Sequence, residues 1–457
     1  MTEELWRLDA ITQAELVASG EVTALELVDA AISRIEATEP AVHALAGTDF
    51  ERAREKARGK LSGPLAGVPF LVKDAAPYPG LRFSMGSRLF AGNVAREATE
   101  YSRRIDGAGL IVLGKSTTSE LGLLGSTETL LEGVTHNPWD FSRSAGGSSG
   151  GAGAAVASGM VSVAHGSDGG GSIRIPASMN GVFGFKPGRG RLVSAAPDDM
   201  GGLVSDHALS VSVADSALLY SLTEVDGAIG FVTDVDPKRL RIGWYDETVL
   251  GRKPTAEVRA ALDSTIELCR RLGHQVEETP PPPIDGARTD AFFVLAGQAL
   301  VGLCQMMEPL LGRPLDERDL EPFTLEVLEW FRTLPPGAVT DAHAAISELG
   351  ADMRRALERF DVLLCPTIPV EPWEVGTMAP TLDRVTAFER IGTLAGYTAI
   401  HNIAGTPAMS VPLGMSQRGL PVGSHFAAAE GREATLFSLA YELEEAAPWR
   451  RRLPASR

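Results

Sequence analysis

From Ser144 to Ser167 the chain carries no charged residue and consists mostly of Gly, Ala and Ser. The run is long enough to cross a bilayer, but it is too rich in Gly and Ser, and its apolar residues come late and few. It reads as a buried segment of a soluble protein. Glycines let other backbone approach closely, and their amides can point at a developing negative charge. Two serines sit in such beds. Ser148 lies in Ser144-Ala-Gly-Gly-Ser-Ser-Gly-Gly151, and Ser172 ends His165-Gly-Ser-Asp-Gly-Gly-Gly-Ser172. Upstream, Gly67-Val-Pro-Phe-Leu-Val-Lys-Asp74 places one lysine, Lys73, at the end of an apolar run. Two glycine-bedded serines and a strand-end lysine suggest a hydrolase.

The remaining composition narrows the classes. With 457 residues, 44% hydrophobic and 22% charged, the chain can bury a core large enough to hold a polar catalytic group. A net charge of −17 repels phosphate backbones, so nucleic acid is not an expected partner. The basic cluster Lys186, Arg189 and Arg191 is expected to be a solvated loop. Three cysteines, Cys269, Cys304 and Cys365, with no CxxC, fit isolated buried thiols in a reducing cytoplasm. The histidines show no metal-ligand spacing, so neither a metal nor a cofactor is expected. The N-terminus has no basic segment followed by an apolar one, and no membrane association is expected.

Strand-like and helix-like segments alternate. Val68–Val72, Leu110–Leu113, Val161–His165, Leu240–Trp244, Asp361–Leu364 and Ala408–Val411 read as buried strands. Ala152–Ser158, Thr255–Leu272 and Glu433–Glu445 read as helices. Thr23-Ala-Leu-Glu26 is a capping box that starts a helix expected to stop before Pro40. The pattern predicts an α/β fold with one sheet covered on both faces. A single domain over 1–457 is expected, with an N-terminal helical region at about 1–60. A helical insertion at about 280–350 follows Pro280–Pro283, and its aromatics and methionines form either a small core of their own or a pocket wall.

A serine hydroxyl needs a base. His165 ends an apolar run and reads better as a structural histidine. Lys73 can serve if burial keeps it neutral, although a lysine in such a place is often merely exposed. Ser148 can accept one proton while donating another, and so could relay from Ser172 to Lys73. A flexible Gly/Ser turn without chemistry is the alternative. A phosphate-binding loop fits poorly, because the Gly-Lys-Ser/Thr ending is missing.

These residues carry a resemblance. Ser144–Pro187, Gly67–Asp74, Gly114-Lys115, His136-Asn-Pro-Trp139, Asp361–Thr367 and His401–Pro412 resemble, in order, the motifs of the amidase signature family. Lys73 precedes Ser148 by 75 residues and Ser172 follows it by 24, in keeping with that family. The resemblance implies one large mixed sheet between helical layers and a Ser–cis-Ser–Lys triad: Ser172 as nucleophile, Ser148 as bridge after a cis peptide bond, and Lys73 as base. It also implies an oxyanion hole from the amides of Gly169, Gly170, Gly171 and Ser172. Ser167, Asp168 and Arg174 would support the loop, and Gly122 would present its backbone, with Ser148, to substrate.

Within the family, Thr135–Ser144, Val163–Gly166, Arg174–Ser178 and Glu445–Trp449 resemble the 6-aminohexanoate cyclic dimer hydrolases and urethane-cleaving amidases. Ser167 stands where the family often has Thr, Gly188 where Thr is usual after Lys186-Pro187, and Val211 where many members carry Arg. The loop Val193–Val204 is expected either to edge the pocket or to be ordinary surface. The implied activity is hydrolysis of linear amides by an acyl-enzyme, with carbamates and esters as alternatives and a small molecule as substrate. A homodimer is compatible with this reading. The rival is an amidotransferase subunit that works with a partner on charged tRNA.

Overall fold

The computed structural model describes residues 2–196, 200–285, 288 and 290–454. Pro197, Asp198 and Asp199, part of the loop singled out above, lie outside the described residues.

Among the described residues, eleven strands form one mixed sheet. Their order is Leu45–Thr48, Ile111–Ser116, Pro69–Lys73, Val163–Asp168, Ser205–Ser210, Phe183–Lys186, Ala408–Met415, Pro421–Ala427, Val362–Pro366, Arg241–Trp244 and Gln275–Glu278. Pro69–Lys73 runs parallel to both of its neighbours, and Arg241–Trp244 runs parallel to both of its own. The other pairings are antiparallel. The expected α/β class with a large covered sheet is therefore what the chain adopts.

Strands such as Pro69–Lys73 and Val362–Pro366 carry near-continuous apolar runs because both faces are buried. Leu71, Ile111, Leu113 and Ala164 pack one face against the helices Ala24–Val42 and Gly150–Ala157. Phe70, Val72, Val112 and Val163 pack the other against Ala10–Ser19, Glu100–Gly107 and Val213–Thr223. At the far end, Phe183, Ile242, Val362 and Phe426 form a further cluster with Ala256–Arg271 and Glu433–Ala446.

The capping box of the second helix is present: Thr23 Oγ1 accepts the Glu26 amide and Glu26 accepts the Thr23 amide. The helix does not stop before Pro40 but runs through it to Val42. Val42 is buried in the core, and the Glu39 carboxylate accepts the Ala44 and Leu45 amides just beyond the end. That packing and capping outweigh the one hydrogen bond a proline costs in a last turn. The basic cluster also differs from expectation. Lys186 is fully buried, and Arg189 donates to the carbonyls of Gly202, Asn402 and Ile403. Arg191 pairs with Glu224. Lys186 is thus enclosed, whereas Arg189 remains exposed and Arg191 partly so while each ties segments together.

Residues 291–357 form three helices, Ala291–Leu311, Pro322–Arg332 and Ala338–Leu357. The first is long and apolar enough to cross a membrane by length and composition; its Phe293, Leu295, Leu300 and Cys304 are buried in the body. Phe293 stacks on Phe388 with ring centroids 3.8 Å apart. All three cysteines are free and buried.

The helix Gly150–Ala157 lies so close to the sheet that a β-carbon at Gly151 would come 2.3 Å from Thr117 Oγ1 and 2.6 Å from the Ala44 carbonyl oxygen. Gly151→Ala is therefore expected to destabilise the fold by about 2–3 kcal/mol despite alanine's better helix propensity. Urea denaturation measures it.

Candidate active site

Lys73 ends its strand with its ammonium group walled off from water; the residue is 1% exposed. Its Nζ lies 2.7 Å from Ser148 Oγ and 2.9 Å from Ser167 Oγ, with the Ser167 carbonyl at 3.5 Å. Burial pushes the amine down to about 7, against the opposing pull of the Asp206 and Asp168 carboxylates. Near neutral pH a large share of Lys73 is thus an uncharged amine. Its two N–H bonds can point at the two Ser167 oxygens, which leaves the lone pair for the Ser148 hydroxyl.

Ser148 is held by its backbone. The Gly147–Ser148 peptide bond is cis. Thr127 Oγ1 donates within reach of the Gly146 and Ser148 carbonyls, at 2.9 and 3.2 Å, and accepts the Gly150 amide at 3.1 Å. The next residue ties this turn to Ser172: the Ser149 amide donates to the Ser172 carbonyl at 3.2 Å, and Ser149 Oγ to the Ser167 carbonyl at 3.2 Å. Gly122, with φ +72°, stands over the site; a β-carbon there would be 3.5 Å from Ser148 Oγ.

The turn before Ser172 is organised by Asp168. Its carboxylate accepts the Gly171 amide at 2.7 Å and the Ile173 amide at 3.1 Å. Arg174 meets it with two 2.9 Å hydrogen bonds, and neither side chain is exposed. Burial raises the Asp168 carboxyl, but the Arg174 guanidinium overrides this and holds it well below the usual carboxylate range. Asn402 links the pair, donating to the Asp168 carbonyl at 2.6 Å and accepting from Arg174 at 2.7 Å. Thr398 donates to the Gly170 carbonyl at 2.7 Å. Gly171 has φ +136°, and a β-carbon on it would lie 2.4 Å from Thr398 Oγ1, so no other residue fits.

This bracing modifies one expectation. The Gly171 amide, one of the four expected to face an oxyanion, donates to Asp168 instead. His165 is not within the hydrogen-bonded serine chain. Its Nδ1 accepts the Lys73 amide at 3.3 Å, which places the proton on Nε2, 3.1 Å from Asp206 Oδ1. Burial lowers its pKa, and the ring is neutral.

A cavity of about 90 Å³ opens beside Ser172 and Gly170. Gly122–Gly125 forms one wall, Val249, Leu250, Phe292 and Phe293 another, and Ile391, Ala395, Ala399 and Ile400 a third. No charged side chain lines it among the described residues. Among its described residues the region 188–211 contributes no lining residue; Val204 touches the turn instead, 3.3 Å from where a Gly169 β-carbon would sit. Sequence reasoning missed Thr127, Ser149, Thr398 and Asn402, as well as the 249–250 and 391–400 walls. A signal for the last existed: Gly392, Ala395, Gly396 and Ala399 repeat small residues at helical spacing. Asn402 lay inside the His401–Pro412 motif but had no assigned role.

A chain with a buried lysine, two serines and an amide-lined turn on a mixed sheet is organised for acyl transfer to a serine. The sequence profile of the family described as Amidase matches residues 26–437, and the chain belongs to that family of C–N hydrolases. It is 37% identical to AmiC of Mycobacterium tuberculosis, covering 98% of this chain and 96% of that protein. It is 34% identical to the 6-aminohexanoate-cyclic-dimer hydrolase of Paenarthrobacter ureafaciens, covering 99% and 97%. A solved 6-aminohexanoate cyclic dimer hydrolase in complex with substrate superposes with a TM-score of 0.92 at 32% identity, covering 99% of each chain.

Removing one member of a buried ion pair strands the other. Arg174→Met should cost about 3–5 kcal/mol in urea denaturation.

Proposed function

We propose that the protein hydrolyses uncharged amides with Ser172 as nucleophile, Ser148 as proton relay and Lys73 as general base. The observation that carries this reading is the buried Lys73 amine 2.7 Å from Ser148 Oγ, which sits in a turn hydrogen-bonded to Ser172. Lys73 takes the Ser148 proton as Ser148 takes that of Ser172. Ser172 Oγ attacks the carbonyl, and the amides of Gly169, Gly170 and Ser172 receive the oxyanion. The proton returns along the same path to the leaving nitrogen, the C–N bond breaks, and water then cleaves the acyl-enzyme.

The substrate class follows from the cavity. A charged acyl group would leave its water shell for a wall of Leu, Ile, Val and Phe with no counter-ion. Neutral alkyl or aryl acyl groups match it. Relatives named for a cyclic 6-aminohexanoate dimer and as an acylamidase favour amides over carbamates and esters, which present the same carbonyl. The enzyme acts alone on small molecules in this reading.

Ser172→Ala should lower kcat/KM on a neutral aryl amide by at least roughly 1,000-fold. Unchanged turnover would sink the assignment. Because the base must be unprotonated, wild-type kcat/KM should fall about tenfold per pH unit below about 7; a flat acid profile removes Lys73 from the mechanism. In a panel of anilides of equal length, an ω-carboxylate or ω-ammonium on the acyl chain should cost at least roughly tenfold. Equal rates for charged and neutral members contradict the substrate class.

A further inference from the structure

Three polar side chains behind Lys73 are not used by the proton path just described. The strands Val163–Asp168 and Ser205–Ser210 run antiparallel, with Asp206 directly opposite Ser167 and Ala208 opposite His165. Residues opposite one another, and residues two apart, share a face of a sheet. His165, Ser167 and Asp206 therefore form one row, and Lys73 Nζ touches that row at Ser167 Oγ, 2.9 Å away. The His165 ring bridges Asp206 to the Lys73 backbone amide.

The charges around Lys73 are unequally compensated. On the neighbouring strand, Lys115 lies 3.9 Å from Asp74. Asp168 is saturated by Arg174. Asp206 has only neutral partners among the described residues: the His165 ring, the Ala195 amide at 2.9 Å and Ser194 Oγ at 3.2 Å. From the helix Glu100–Gly107, Tyr101 covers the His165 ring at 4.8 Å between centroids and brings no charge at neutral pH. Asp206 is nearly buried and its carboxyl stays ionised, because the hydrogen bonds from His165, Ala195 and Ser194 outweigh the opposing effect of burial. Of the carboxylates near the lysine, it is the one whose charge reaches Lys73 without a cation of its own.

We propose that Asp206, held in place by His165, is a positioning residue that sets what fraction of Lys73 is available as a base near neutral pH. Burial alone would drive the amine further toward its neutral form, and the uncompensated carboxylate pulls it back. Ser167 then carries the position of the amine, and Asp206 its protonation. This inference rests on Lys73 being the base, as in the reading above.

The test compares pH profiles of kcat/KM on a neutral aryl amide for wild type, Asp206→Asn, Asp206→Glu and His165→Gln. Loss of the carboxylate destabilises the protonated amine, so Asp206→Asn should move the acid limb down by roughly one pH unit. Asp206→Glu and His165→Gln, which keep the charge, should leave the limb within a few tenths of wild type. Circular dichroism checks each fold. If Asp206→Asn does not fold, Asp206→Ser, whose hydroxyl can still meet the Ala195 amide, reads the same charge. An acid limb that stays put or moves up in the folded neutral variant overturns the proposal, as does a uniform loss of rate at every pH. Full activity in Lys73→Ala instead overturns the assignment of the base, so the two failures are distinguishable.

Discussion

The buried pair between Asp168 and Arg174 is the interaction on which the site depends. Neither group could be ionised there alone, and between them they reach most of the surrounding structure. Asp168 holds the backbone amides of Gly171 and Ile173, on either side of Ser172. Arg174 donates to the Thr398 carbonyl and to the ring of His425, and Asn402 closes the ring of contacts. The strand that ends at Asp168, the helix that begins at Arg174 and the segment 398–425 thus meet at one charge-neutral knot. A glycine-rich turn would otherwise sample many conformations; here the carboxylate and its partners hold it in one.

A second constraint is opposite in kind. Among the described residues Lys73 has no tight ionic partner at its tip. Desolvation, the same effect that makes the Asp168–Arg174 pair costly to form, is here left partly uncompensated, and the amine loses its proton near neutrality. The two buried basic groups therefore differ: Arg174 is paired with a carboxylate, whereas the Lys73 amine faces hydroxyls.

Much of this was legible in the sequence. Lys73, Ser148 and Ser172 lie in local signals: a strand-end lysine after Pro-Phe-Leu-Val and two serines among glycines. The strands were legible because buried runs such as Val68–Val72 and Leu110–Leu113 are continuous and apolar. What could not be read were the partners that act across the chain. Thr398 and Asn402 reach the Ser172 turn from more than two hundred residues away, and although a small-residue repeat and a motif lie beside them, neither says which turn they brace. Charges in loops were misread for the same reason: Lys186 looks like surface until the sheet encloses it. Pro40 shows tertiary packing overriding a local stop signal.

The apolar cavity walls and the Lys73–Ser148 contact come from different parts of the molecule, although the cavity reaches Ser172 and Gly170. Lys73, Ser148 and Ser167 are set by the sheet and the small-residue helix behind it, whereas Phe292 and Phe293 come from the helix Ala291–Leu311 and Ile391, Ala395, Ala399 and Ile400 from a later segment. Substitutions in those walls can change which acyl group fits without touching a hydrogen bond of the lysine or the serines. The architecture thus separates what is selected from how it is cleaved, so that descendants of one catalytic frame can diverge in diet by exchanging a few apolar side chains.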